Sequence, residues 1–233
     1  MPVDKVEFRE DWYRKFVSST NEKDILIDKI SDLLAGRKTT SCLEIGLGIS
    51  PYFAQKLSSK FQRYFIIEKR IITEKIPEGV ALINADFEYS EMTRKFDVII
   101  ASHVIYYFAD NEKVIKKIFS LLNPGGTVFF VVNGKTADYG PLKLAFSKLI
   151  GSKYIFTYDS LLKLLTGEKH REYTVPSTIL FADYEDLFIT LKLSFDTYPE
   201  EYESLKSRVI EYLKKQVKGN KFIIDQKIIE VMK

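Results

Sequence analysis

Two glycines stand two positions apart in the segment LEIGLGISP, residues 43–51, directly after an apolar run. Because neither Gly46 nor Gly48 has a Cβ, a turn made here lets the backbone approach a ligand closely. Ser50 is a favoured N-cap and Pro51 suits the first position of a helix, so we expect a helix to begin there. The dinucleotide pattern G-x-G-x-x-G would place a third glycine where Pro51 stands. The segment therefore predicts a nucleotide-binding turn without the packing expected for a pyrophosphate.

Three acidic residues accompany this turn at the ends of predicted strands. Glu44 precedes the first glycine by two positions, where a carboxylate disfavours a pyrophosphate and favours a positively charged ligand. Glu68 ends the run RYFIIE, where it can accept hydrogen bonds from ribose hydroxyls in either nucleotide class. Asp86 follows the third run and can accept from an adenine amino group, with Phe87 packed nearby. This set favours S-adenosylmethionine, which carries an ammonium and a sulfonium but no phosphate, over NAD.

A parallel sheet is needed to bring these side chains together. Five short β-rich runs alternate with helical segments, and four of the runs are apolar almost throughout, as expected of strands covered on both faces. The alternation predicts an α/β fold with right-handed crossovers, in which ligands bind at the carboxyl ends of the strands. The five runs are SCLEIG, RYFIIE, VALIN, FDVIIAS and TVFFVVN.

Helical segments are predicted on both sides of this core. Residues 7–35 have the apolar spacing of two helices, and the pattern after residue 134 is again helical. We predict one domain over residues 1–233, with an N-terminal helical lid, a cofactor-binding core, and a third part of substrate-covering helices and final strands. The three parts span residues 1–38, 39–133 and 134–233. The later helices are predicted at about 141–150, 158–166, 183–193 and 199–217, and two late strands, pairing antiparallel at the sheet edge, near 171–176 and 222–232.

In order along the chain, these motifs resemble those of class I S-adenosylmethionine-dependent methyltransferases. The resemblance covers residues 41–133 and includes the segments KFDVIIASHVIYYFAD and LLNPGGTVFFVV. It implies a Rossmann-like, seven-stranded, mostly parallel sheet with an antiparallel final strand, and S-adenosylmethionine as cofactor. The alternatives are an NAD-dependent oxidoreductase and a Rossmann-like binding module without enzymatic activity. The residues expected to bind the cofactor are Glu44, Gly46, Gly48, Glu68, Asp86, Phe87 and Ser102.

Within that superfamily, the chain is most similar to the histamine N-methyltransferase group. The segment WYRKFVSSTNE resembles that group's N-terminal helix, and Glu22 falls on its amine-binding glutamate. Tyr106 and Tyr107 match a tyrosine pair of the group, whereas His103 replaces a glutamine that contacts substrate. Asp225 is the one candidate for a substrate-contacting asparagine near the C-terminus.

This resemblance makes an amine nitrogen the expected methyl acceptor. His103, just beyond the fourth strand, can take the proton that the amine loses, or can simply cap the following turn. Glu22 can hold a substrate cation, or can form a capping box with Ser19 three positions earlier. O-methylation of a small carboxylate or hydroxyl, and protein or RNA methylation, are the alternatives within the enzyme class. Trp12, Phe16, Tyr106 and Tyr107 are the expected substrate contacts, and the wider set of candidate pocket aromatics adds Tyr13, Phe146, Tyr154, Tyr158 and Phe181.

Composition limits the partners. The chain has 35 Lys and Arg residues against 32 Asp and Glu, a net charge of +3, and we expect no nucleic acid partner. The basic segment KSRVIEYLKKQVKGNK is interpreted as a solvated helix face. The single cysteine, Cys42, excludes a disulfide within the chain and a thiolate-rich zinc site, and we expect no metal. Without a membrane-length apolar stretch, we expect a cytoplasmic protein, a monomer or weak homodimer, acting on a small molecule.

Overall fold

The computed structural model describes residues 8–233, and its centre is one seven-stranded sheet. The strand order across the sheet is β3-β2-β1-β4-β5-β7-β6. The strand bounds are Ser41–Ile45 (β1), Arg63–Glu68 (β2), Val80–Asn84 (β3), Phe96–Ser102 (β4), Leu122–Asn133 (β5), His170–Leu180 (β6) and Lys221–Met232 (β7).

The pairing of the strands confirms the predicted fold. β1 lies parallel between β2 and β4, and β3 and β5 continue the parallel arrangement on either side. β7 is antiparallel to both β5 and β6, so the two late strands do pair at one edge of the sheet. All five predicted central runs are strands. Because β1, β2 and β4 are parallel neighbours, their carboxyl ends lie together at the same end of the sheet.

Asp97 fixes the opposite end of these strands. Its Oδ2 accepts hydrogen bonds from the backbone N–H groups of Thr40 and Ser41 at 2.8 and 2.9 Å, and its Oδ1 accepts from Asn123 Nδ2 at 2.7 Å. One carboxylate thus connects the starts of β1, β4 and β5. Hydrogen bonds from these neighbours outweigh burial and hold the pKa of Asp97 well below its usual range.

Helices cover both faces of the sheet and its carboxyl end. Apolar residues of α4 and α6 pack on one face, and those of α2 and α3 pack on the other. A third apolar cluster joins α1 to α5 and α7–α9 beside the first half of β7. The helix bounds are Glu10–Ser19 (α1), Glu22–Leu34 (α2), Tyr52–Leu57 (α3), Asn111–Ser120 (α4), Tyr139–Leu149 (α5), Thr157–Leu164 (α6), Tyr184–Thr190 (α7), Pro199–Ser204 (α8) and Lys206–Gln216 (α9).

Local details differ from the sequence predictions. The helix after the glycine turn begins at Tyr52, with Pro51 as its N-cap residue and no capping side chain, so the prediction that Ser50 caps it is wrong. The predicted helix over 199–217 is divided into α8 and α9, and β6 extends four residues beyond the predicted run. None of the helices in residues 8–233 combines the length and apolar character needed to cross a membrane.

Candidate active site

The glycine turn lies at the carboxyl end of β1 in the expected conformation. Gly46 and Gly48 have φ angles of +70° and +72°, which side-chain-bearing residues rarely adopt. The Gly46 N–H donates to the carbonyl of Ile67 at 2.9 Å, which ties the turn to the neighbouring strand β2. A Cβ added at Gly48 would overlap the hydroxyl oxygen of Tyr13 on α1. The turn is therefore a cradle that a larger residue would fill.

Glu68 lies beside this cradle at the end of β2. Its Oε2 accepts a hydrogen bond from the Leu47 N–H at 3.1 Å, and its Oε1 accepts from the backbone N–H of Arg70 at 3.0 Å. The Arg70 guanidinium contacts the same carboxylate, with Nε 3.1 Å from Oε1, and also donates to the carbonyl of Gly48. The carboxylate is thus held in position at the carboxyl edge of the sheet, where a ribose would be recognised.

Glu44 is buried in the middle of the sheet, two residues before the turn. Its side chain is only 4% exposed, and its Oε2 accepts a hydrogen bond from the Tyr64 hydroxyl at 2.9 Å. Burial raises the pKa of Glu44 to about 7, although the Tyr64 hydrogen bond and the charge of Lys23 oppose this rise. The site therefore holds a carboxylate whose charge the protein compensates only in part, which suits a cationic ligand.

Asp86, Phe87 and Ser102 complete the predicted cofactor set. Asp86 follows β3, and its Oδ1 accepts a hydrogen bond from the Glu88 N–H at 3.0 Å. Phe87 is buried, with its ring centroid 6.1 Å from that of Phe108. All three predicted residues line the same cavity as Glu44, Glu68 and the two glycines.

This cavity has a volume of about 770 Å³. Small-molecule sites range from about 300 to 1,000 Å³. Of the predicted substrate contacts, Phe16, Tyr106 and Tyr107 line it, together with Tyr13 and Tyr154 from the wider aromatic set. Four predicted aromatics are not brought to the cavity. They are Trp12, whose ring faces the Arg9 guanidinium instead, and Phe146, Tyr158 and Phe181.

His103 and Glu22 meet on the wall of the cavity, although 80 residues separate them in the sequence. His103 Nε2 is 3.4 Å from Glu22 Oε1, and the other oxygen, Oε2, accepts a hydrogen bond from Gln226 Nε2 at 2.8 Å. His103 Nδ1 is 3.3 Å from the hydroxyl of Tyr106, which in turn accepts from the Asn133 N–H at 3.0 Å. Nε2 itself is buried without a hydrogen-bond partner among the described residues.

These contacts overturn the two structural alternatives for this pair. Ser19 ends α1 and donates to the carbonyl of Lys15, while the Glu22 N–H bonds to Thr20 Oγ1, so Ser19 and Glu22 form no capping box. His103 does not cap the 3₁₀ turn Ile105–Tyr107, which has no capping side chain. His103 also has a φ of +50°, an unusual backbone conformation for a residue with a side chain. Asp225 is outside the cavity lining, and its neighbour Gln226 is the buried partner of Glu22.

Sequence reasoning missed several charged groups of this cavity. Lys143 on α5 and Asp196, just after a 3₁₀ turn over Leu191–Phe195, both line the cavity. The local signal for Lys143 was weak, since it is a lysine inside the apolar segment PLKLAF. Its burial results from packing against residues about 50 positions later. No group of three or more potential metal-ligating side chains occurs in the described part of the chain.

Comparison with known families decides the class of the protein. A family model described as "Methyltransferase domain" matches residues 16–171, which is more than half of the 233 residues. The chain belongs to the methyltransferase domain family. The match includes the glycine turn, the three acidic residues at the strand ends, and His103, and it favours methyl transfer over the oxidoreductase alternative.

The chain also matches curated and solved relatives. Over 103 residues it is 31% identical to malonyl-[acyl-carrier protein] O-methyltransferase from Priestia megaterium, a match that covers 40% of this chain and 36% of that protein. A 28% identical match over 109 residues, to an uncharacterized methyltransferase from Bacillus cytotoxicus, covers 44% of this chain and 51% of that protein. The matches thus span from about a third to about half of these curated relatives.

Solved structures share the fold. A candidate methyltransferase from Bacillus halodurans has a TM-score of 0.60 and 15% identity, covering 88% of this chain and 97% of that one. The N-methyltransferase NodS from Bradyrhizobium japonicum, in complex with S-adenosyl-L-homocysteine, has a TM-score of 0.53 and 14% identity over 98% of this chain and 94% of its own. The comparisons support the methyltransferase family but not the narrower resemblance to the histamine N-methyltransferase group.

Proposed function

We propose that this methyltransferase transfers a methyl group from S-adenosylmethionine to an amine nitrogen of a small molecule. The proposal for the cofactor is supported by four features that meet at the carboxyl edge of the sheet: the glycine cradle, Glu44, Glu68 and Asp86. Glu68 would bind the ribose hydroxyls and Asp86 the adenine amino group. Glu44, whose charge is only partly compensated, would face the ammonium of the cofactor.

Positioning is the main task of the protein in such a reaction. When bound, S-adenosylmethionine supplies a methyl group on a positively charged sulfur. The chain holds the acceptor, excludes water and receives a proton, because methyl transfer is an in-line displacement that needs no covalent enzyme intermediate. The lining of the cavity by α1, α5 and the segment around Leu193–Tyr198 supports an enclosed, small acceptor.

The contact between His103 and Glu22 carries the proposal of an amine acceptor. When a neutral amine attacks, its nitrogen gains the positive charge that leaves the sulfur and then loses a proton. His103 Nε2 has no hydrogen-bond partner among the described residues and lies 3.4 Å from a carboxylate oxygen. A proton taken up at Nε2 therefore lies between the imidazole and Glu22, and it converts this contact into an ion pair.

Glu22 takes a different role from the one expected from the sequence. Its Oε2 accepts a hydrogen bond from Gln226 and its Oε1 faces His103 Nε2, so a substrate cation bound by Glu22 would compete with His103 for the same carboxylate. We assign it to stabilising protonated His103 rather than to holding a substrate cation. Its loss should then lower kcat more than it raises KM.

O-methylation of a carboxylate is the second candidate, favoured by the name of the Priestia megaterium relative. A carboxylate oxygen attacks without losing a proton, so it would not need His103 as a base.

The test measures S-adenosylhomocysteine formation with a panel of small amines and the carboxylic acids of matching shape. We expect methylated amines, and a kcat about 100-fold lower in His103→Asn with the best amine. Asparagine tolerates the positive φ at this position, so the change removes the base with little backbone strain. His170→Asn is the matched control, because His170 Nε2 also lies near a carboxylate, 3.5 Å from Glu172 Oε1, but outside the cavity lining. Methyl esters as the only products, or an unchanged kcat in His103→Asn, would refute an amine acceptor.

A further inference from the structure

Lys143 is a buried cation on the wall of the cavity, and the proposed reaction does not use it. Its side chain projects from the middle of α5, and the residue is 6% exposed. Its Nζ donates a hydrogen bond to the carbonyl of Ser194, which leaves two of the three ammonium protons for other partners. Within residues 8–233, Lys143 forms no ion pair with a carboxylate.

Aromatic rings surround this ammonium. Nζ lies 4.1 Å from the ring centroid of Phe195, 4.9 Å from that of Tyr154 and 5.6 Å from that of Tyr139. Burial lowers the pKa of Lys143 to about 7, although the negative charge of Asp196 opposes the change. Rings and one carbonyl stabilise a cation less than a carboxylate at contact distance does. A ligand carboxylate would therefore stabilise the charged form of Lys143 further.

The position of Lys143 in the fold assigns it to the acceptor rather than to the nucleoside. The acids proposed for the ribose and adenine, Glu68 and Asp86, follow β2 and β3 on one side of β1. Lys143 lies on the helix after β5, on the other side of β1 and β4. Its aromatic neighbours Tyr139 and Tyr154 line the same cavity as Tyr106, whose hydroxyl contacts His103.

We propose that Lys143 binds a carboxylate of the methyl acceptor, so that the substrate is a small amino acid-like molecule with an amine at His103 and an acid group at Lys143. This inference rests on the proposed function for the amine, whereas the anion site itself does not. The two ends of the acceptor then face opposite charges. The amine end lies toward His103 and the carboxylate of Glu22 that contacts it, and the acid end lies toward the ammonium of Lys143. This polarity fixes which end of the acceptor reaches the methyl group.

The experiment uses two probes that share a phenylethyl group and differ in one charged group. Calorimetric titration with 3-phenylpropionate probes the acid site, and phenethylamine probes the amine end. Both are measured with the full chain, with and without S-adenosylhomocysteine. We expect 3-phenylpropionate to bind the wild type and to bind Lys143→Met at least about tenfold more weakly, because a charge-assisted hydrogen bond is lost. Phenethylamine binding should be unchanged in Lys143→Met.

Lys153→Met is the matched control. Lys153 lines the same cavity but is exposed, so its replacement removes the same charge without removing the buried cation. We expect 3-phenylpropionate to bind this variant as it binds the wild type. Unfolding transitions of both variants establish that each is folded, and Lys143→Arg, which restores the charge, should recover part of the affinity.

The outcomes separate this inference from the proposed function. If 3-phenylpropionate fails to bind the wild type, or binds Lys143→Met equally well, the acid site is wrong even when S-adenosylhomocysteine binds normally. If S-adenosylhomocysteine fails to bind the wild type, the proposed function is wrong, while the comparison of the two lysine variants still decides whether Lys143 binds a carboxylate.

Discussion

Glu44→Gln should make the ligand-free protein more stable and its cofactor site weaker. Glu44 is buried at the end of β1 with one hydrogen bond, from Tyr64, and the amide oxygen of glutamine can accept the same bond. The substitution therefore keeps the shape and the hydrogen bond but removes the charge. An ionised carboxylate in this position destabilises the fold unless a cation binds beside it.

The magnitude follows from the pKa. Burial raises the pKa of Glu44 from 4.5 to about 7, so the folded chain binds this proton more tightly than the unfolded chain does. The resulting stabilisation is complete below the unfolded value and is lost as the pH rises through about 7. At about 1.4 kcal/mol per pKa unit, the free energy of unfolding should fall by about 2.5 kcal/mol between pH 5 and pH 8 through this group alone.

The assay is urea unfolding of wild type and Glu44→Gln across this pH range, followed by calorimetric titration with S-adenosylhomocysteine. Glu44→Gln should have the higher free energy of unfolding at pH 8, by about 3.5 kcal/mol, and a difference of only about 1 kcal/mol at pH 5. Its affinity for S-adenosylhomocysteine should be lower than that of the wild type, because the ammonium loses its counter-charge.

A second buried glutamate provides the control. Glu230 lies in β7, pairs with Arg37 at 2.6 Å and accepts a hydrogen bond from the Tyr173 hydroxyl at 2.9 Å, so Glu230→Gln should lower the stability instead of raising it. If Glu44→Gln destabilises the protein at pH 8, or leaves the pH dependence unchanged, the assignment of Glu44 as a partly compensated buried charge is wrong.

Two further predictions concern the cofactor site. Glu68→Gln should weaken S-adenosylhomocysteine binding by about tenfold or more in a calorimetric titration, because charge-assisted hydrogen bonds to the ribose are lost. Glu88 is as buried as Glu68, but it lies outside the cavity lining and accepts hydrogen bonds from the backbone N–H groups before α4. Glu88→Gln should therefore leave S-adenosylhomocysteine binding unchanged. Equal losses of affinity in both variants would contradict the ribose assignment. Gly48→Ala and Gly36→Ala should each lose about 1 to 2 kcal/mol of stability in urea unfolding, because both glycines have positive φ angles. Only Gly48→Ala should also reduce S-adenosylhomocysteine affinity, since a Cβ at Gly36 meets open space; unchanged affinity in Gly48→Ala would argue against the cradle.

The part of the cavity that we propose binds the cofactor could be predicted from the sequence because local patterns encode it. Residues such as Gly46 and Glu68 lie at the ends of apolar strands, and parallel pairing brings such ends to one edge of the sheet. The strands themselves were predictable, since long apolar runs leave few alternatives to a buried central strand.

The part of the cavity that we propose binds the methyl acceptor depends on packing between distant segments, and local patterns do not encode it. The spacing of Ser19 and Glu22 satisfied a capping box, but α1 ends at Ser19, and the Glu22 side chain turns toward Gln226 on β7. Trp12 and Phe16 share a helical spacing, yet only Phe16 reaches the cavity. Lys143 is surrounded by residues from 139 to 195, a set that no short segment contains.

Calorimetric titration of the wild-type chain with S-adenosylhomocysteine and with NAD tests the central claim most directly. The glycine cradle, the unfavourable position of Glu44 for a pyrophosphate and the proposed role of Glu68 in binding the ribose predict saturable binding of S-adenosylhomocysteine and none of NAD. NAD binding of equal or greater strength, or no binding of S-adenosylhomocysteine, would contradict the account.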